Sequence, residues 1–93
     1  MGSKSEESSD PRRSTYGRGY WLRRCDGFLV ESPTKRIGRV EGIRYDERSN
    51  EPALLEVRAG FLGKRLLLIK VEDISEIAPD RRRIVLQEGF AVV

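Results

Sequence analysis

Few side chains in this 93-residue sequence could do chemistry. Histidine is absent, so the group that most readily exchanges protons near neutral pH is missing. The single cysteine, Cys25, has no histidine to activate it, although Arg23 and Arg24 beside it could lower its pKa. An ordinary half-buried thiol is the simpler expectation. Zinc would require clustered Cys or His, and neither cluster exists. The stretch "DERSNE" scatters oxygen ligands at Asp46, Asn50 and Glu51 but lacks the spacing and the glycine of a calcium loop, so it reads as a polar hairpin tip. Glu72 and Asp73 are adjacent, which on an extended chain sends them to opposite faces. They suit the start of a short helical turn, where negative charge and a capping oxygen are favourable. "GFLGK" is not a phosphate loop, because Arg65 follows Lys64 where Ser or Thr is required. The expectation is a chain with no catalytic residue, no metal and no cofactor.

Recognition leaves two sets of residues. Arg81, Arg82 and Arg83 form the one basic cluster, the natural candidate for a phosphate contact. The aromatic side chains near the start, Tyr20, Trp21 and Phe28, are candidates for a protein-binding surface, since such rings combine contact area with polar tips. Trp21 and Phe28 could equally fill a core. The formal net charge is +3, but acidic and basic residues alternate along most of the chain, unlike the one-sided basic face of a typical nucleic-acid binder.

These residues must be positioned by one small domain, since 93 residues leave no room for two cores. Residues 1–19 are Ser, Gly and charge with little apolar surface, which predicts a disordered tail; residues 20–93 form the domain. One cysteine cannot make an internal disulfide, and no apolar run nears the roughly 20 residues of a membrane helix. A cytoplasmic setting is expected.

From Tyr20 onward short strands alternate with turns. "GFLVE" ends at "SPTK", where Pro33 presets a turn, and should pair with the following stretch as a hairpin. In "KRIGRVEGIRYD" the apolar residues change phase: Ile37 is odd, Val40 even, Ile43 and Tyr45 odd again. One extra residue near Glu41-Gly42, a β-bulge, would restore the phase and bend the strand. Gly42 is expected to be the glycine this requires, through positive φ or close approach of another strand, so that Gly42→Val destabilises. In "PALLEVR", Ala53, Leu55 and Val57 share the apolar face. Phe61 and Leu62, between two glycines, read as a turn carrying an apolar plug. "RLLLIKV" is a further strand, "VEDIS" one helical turn, "APDRRR" a turn, and "RIVLQ" a last strand with Ile84 and Leu86 on one face.

The order "GFLVESPTKRIGRVEGIRYD", "PALLEVRAGFLGKRLLLIKVEDISEI", "DRRRIVL" resembles the PRC-barrel family over residues 20–87. Members of that family include the cytoplasmic part of the photosynthetic reaction-centre H subunit and the C-terminal domain of a ribosome maturation factor. The resemblance rests on Ile37-Gly38 with Val40, on Ala53 to Val57, and on Gly63 to Leu68 leading into Glu72-Asp73-Ile74. It implies an all-β fold, a small barrel of five or six short, mostly antiparallel strands with one short helical turn, acting as a docking module without catalytic residues. In the ribosome maturation factor a tyrosine pair at the barrel entrance is linked to ribosomal-protein binding, and Tyr20-Trp21 sits in a comparable place with Trp as the second aromatic. Two functions are therefore expected in competition: a protein-interaction module that binds a partner or a second copy through Tyr20, Trp21 and Phe28, or a small barrel that binds nucleic acid through Arg81, Arg82, Arg83 and the tail arginines.

Overall fold

A computed structural model describes residues 17–93. The expected tail lies outside the described residues except for its last three positions, and Arg18 and Gly19 already belong to a helix, α1 (Arg18–Leu22). Six strands follow: β1 (Leu29–Glu31), β2 (Arg36–Tyr45), β3 (Pro52–Ala59), β4 (Arg65–Lys70), β5 (Ile74–Ala78) and β6 (Arg83–Leu86). They form one sheet in the order β4-β3-β2-β1-β6-β5. All neighbours are antiparallel except β1 and β6, which run parallel.

The fold is all-β, as the pattern of short strands and turns implies. The sheet is nevertheless not closed into a barrel, because β4 and β5 remain its two edges. The chain beyond β6 accounts for part of the difference. Val92 forms a single antiparallel bridge with Ile69 and the Val93 N–H donates to the Leu68 carbonyl, so the C-terminal segment takes ladder positions on β4 that a closing strand would need. Val30, Leu55, Val57, Ile69, Ile84 and Leu86 are all fully buried and lie in one cluster. A five-residue helix cannot cover six strands, so the sheet must curl over its own apolar face.

The bulges supply that curvature. Across β2 and β3, Val40 faces Val57 and Gly42 faces Glu56, which leaves Glu41 without an opposite residue. The extra residue brings both Val40 and Ile43 to the core side, as the phase change requires. A second irregularity lies earlier in the same strand. Val30 faces Gly38 and Glu31 faces Arg36, so Ile37 is extra relative to β1 and tucks, half-buried, against the core. A third sits at Ser75 in β5.

The glycine that this curvature demands is Gly38, not Gly42. Gly42 is not among the glycines with positive φ. A Cβ there would meet only Glu56 Oε1, at 2.9 Å, the movable end of a side chain. At Gly38 a Cβ would fall on the Arg58 backbone carbonyl and 3.0 Å from Val57 Cγ1. Backbone cannot step aside as a carboxylate can. Gly42→Ala should therefore change stability by less than about 1 kcal/mol, the cost of displacing the Arg44–Glu56 surface ion pair being offset by the gain from replacing an interior strand glycine. Thermal unfolding of that variant checks the expectation.

In β3, Leu55 and Val57 are buried as expected, Ala53 is only half-buried because it lies near the start of the strand, and the face continues to buried Ala59; in β6 Ile84 and Leu86 face the core together. "VEDIS" divides differently from expectation. Val71–Asp73 is one 3-10 turn, and Ile74 opens β5, the strand that the three-residue apolar spacing obscured. Among the described residues no helix is long and apolar enough to cross a membrane.

Candidate docking site

Five residues of helix are too few to be stable alone, so α1 must be held by its contacts. Leu22 drops into the core. The Arg18 guanidinium donates to the Ile74 carbonyl at the start of β5. Arg23 reaches the β2–β3 loop, where it donates to the Asn50 carbonyl at 3.1 Å, lies 3.6 Å from the Glu51 carboxylate and stands over the Tyr45 ring at 5.1 Å. The helix is thus bound to two separate parts of the sheet.

That attachment displays Tyr20 and Trp21, both half-buried. Their rings pack edge to face with centroids 5.0 Å apart and planes at 88°. Arg24 covers the Tyr20 ring at 3.9 Å, and its side chain donates to the Tyr20 carbonyl at 3.2 Å, which fixes the guanidinium on the ring. A tyrosine, a tryptophan and an arginine are joined in one ordered group. The sequence placed these aromatics at the start of the domain but on extended chain; nothing in "RGYWL" announces a helix except the contacts that hold it.

Phe28 does not join them. It is 3% exposed and belongs to the core, with Arg82 over its ring at 5.3 Å. It cannot offer its ring to a partner, and the apolar run around it was the sequence signal for that outcome. Cys25 is also fully buried, and its Sγ lies 3.3 Å from the Leu22 carbonyl. Burial, with a smaller contribution from the Asp26 carboxylate, pushes its thiol up to about 11. The flanking arginines do not offset that desolvation, so the thiol is neutral near pH 7 and closed to reagents.

The basic cluster is divided by its turn. Pro79–Arg81 is a 3-10 turn and Arg82 takes the left-handed conformation at φ 55°. Arg82 stands over Phe28, while Arg83 grips both carboxylate oxygens of Glu31 at 3.2 and 3.1 Å. Of the three, only Arg83 has an ion pair among the described residues; Arg82 is drawn over a ring instead and Arg81 has neither contact. Three consecutive arginines therefore do not make a three-charge face.

"DERSNE" is a polar hairpin tip. Asp46 accepts backbone N–H bonds from Arg48 at 2.8 Å and Ser49 at 3.0 Å, which hold its carboxyl below the usual range. Among the described residues, no three of Cys, Asp and Glu gather closely enough to hold a metal. The apolar plug is the clearest reversal. Phe61 is 84% exposed and Leu62 74%, because Gly60, Leu62 and Gly63 all have positive φ and turn both side chains away from the sheet. Leu62 in the left-handed region could not be foreseen from residue type, since the two flanking glycines were the ones expected there.

No protein-family model matches this chain, and no curated protein matches it either.

Proposed function

We propose that this protein is a non-catalytic interaction module of the PRC-barrel type, working in the cytoplasm and binding a protein partner, or a second copy of itself, through the surface of α1. The observation that carries the reading is the ordered group of Tyr20, Trp21 and Arg24. These are residue types that dominate binding energy at protein interfaces, where rigid rings lose little entropy on docking. Arg23, tied to the β2–β3 loop, stiffens the helix that presents them. The buried, neutral Cys25 and the absence of histidine leave little for acid–base or nucleophilic work, which agrees with a role in binding. Nucleic-acid binding through Arg81 to Arg83 is the weaker reading, as Arg82 and Arg83 are engaged within the domain.

Trp21→Ala tests it. The expected result is loss of partner capture or of concentration-dependent self-association in sedimentation velocity, with the fold retained and the melting midpoint within a few degrees of wild type. Unfolding by roughly 3 to 5 kcal/mol would instead make Trp21 a core residue and remove the docking site. Capture should also survive nuclease and high salt, whereas steep loss with salt would point to phosphate contacts.

A further inference from the structure

The β3–β4 turn spends two large apolar side chains on solvent. Phe61 and Leu62 stand at its apex, 84% and 74% exposed, and Leu62 is held at φ 62°, a region that side-chain-bearing residues seldom occupy. The charge around the apex is one-sided. From Arg58 to Leu66 the chain carries Arg58, Lys64 and Arg65 and no carboxylate. The β1–β2 turn lies at the same end, because Gly38 near the start of β2 faces Ala59 at the end of β3, and it adds Lys35 and Arg36. Arg58 is matched by Glu41, but Lys35, Arg36, Lys64 and Arg65 are exposed and make no ion pair among the described residues.

The other end of β3 has no such excess. The loop before it holds Asp46, Glu47 and Glu51 against Arg48, and Arg23 of α1 reaches Glu51. Eight strand residues separate the two ends, roughly 25 Å at the usual rise. The hairpins thus have a cationic, apolar-tipped end and an end of mixed charge, which gives the domain a preferred orientation in front of a negative surface.

We propose that the Phe61-Leu62 tip is a membrane-surface anchor that inserts both side chains into the interfacial region of a bilayer containing anionic phospholipid, with Lys35, Arg36, Lys64 and Arg65 lying against the headgroups. A convex apex with a cationic collar suits a deformable apolar layer beneath negative charge, where apolar burial and headgroup attraction add. The β2–β3 loop then points away from the membrane. Arg23 ties α1 to that loop, so the helix is held towards the end remote from the bilayer.

Flotation of the full chain with phosphatidylcholine vesicles, with and without about one-third phosphatidylserine, tests the proposal. Wild type should float with the anionic vesicles and much less with the neutral ones, and added salt should weaken the association. Phe61→Ser combined with Leu62→Asn should weaken it by roughly tenfold or more while the melting midpoint stays or rises, since asparagine tolerates the left-handed conformation and both side chains are already in solvent. Lys64→Glu with Arg65→Glu should weaken it comparably. Failure of wild type to bind anionic vesicles overturns the proposal, as does binding that survives the Phe61/Leu62 variant. If that variant instead abolishes self-association in vesicle-free solution and leaves flotation unchanged, the tip belongs to a second copy and the membrane assignment is wrong.

Discussion

Gly38→Ala is expected to destabilise the domain by about 3 kcal/mol or more, although alanine is the smallest side chain that can be added. The added methyl would occupy the position of the Arg58 carbonyl and press on Val57 Cγ1. Arg58 lies opposite Arg39 in the β2–β3 ladder, one residue from the Ala59 that faces Gly38, so moving its carbonyl means moving the ladder. Overpacking of a well-filled interior ordinarily costs about 1 to 3 kcal/mol through side-chain adjustment, and here the obstructing group is main chain. Gly38→Val should be worse, despite valine's preference for strands. Chemical denaturation of Gly38→Ala beside Gly42→Ala separates this explanation from a general intolerance of β2: equal midpoints for the two would mean that β2 and β3 do not approach as closely in solution.

This pair of glycines shows how far the sequence could be read. The phase change from Val40 to Ile43 is a one-dimensional signal, and it located the bulge at Glu41 to within one residue. Which glycine the bend requires is a three-dimensional matter. Gly42 stands where the alternation breaks, but Gly38 is where another strand's carbonyl crosses, and nothing in the spacing of apolar residues along β2 records the path of β3. The same limit applies to closure. Most strands follow from local pattern, whereas closure of edge β4 onto edge β5 depends on where "EGFAVV" settles, a segment with no periodicity to read.

The site divides along similar lines. Burial of Phe28 and Cys25 agrees with the apolar neighbours of the first and the bland reading of the second. The helix under Tyr20 and Trp21 was hidden because it is maintained by Arg18 and Arg23 contacting residues 56 and 27 positions away. The division of Arg81, Arg82 and Arg83 depends on the left-handed Arg82, which sends its neighbour to Glu31. A run of like charges in sequence predicts a patch only when the backbone keeps the side chains on one side.

Leu55→Ala carries the other large expected effect and tests the sidedness on which the whole architecture rests. Leu55 is fully buried near the middle of β3, opposite Ile43 of β2 and Ile69 of β4, both of which contribute to the same core. Three strands therefore share its volume, and with neighbours fixed by hydrogen bonds on both sides the cavity cannot easily collapse. The expected loss is about 2 to 5 kcal/mol, against a total of roughly 5 to 15 kcal/mol for a small domain. At this size that corresponds to a fall in melting midpoint of about 10 °C or more. Leu55→Met should cost less than about 1.5 kcal/mol, because it keeps the volume. Leu66→Ala, at a position 41% exposed, should cost under about 1 kcal/mol despite removing the same atoms. If Leu66→Ala proved the more damaging of the two, β3 and β4 would present their other faces to the core, and the bulge that brings Val40 and Ile43 to one side would have no core to serve.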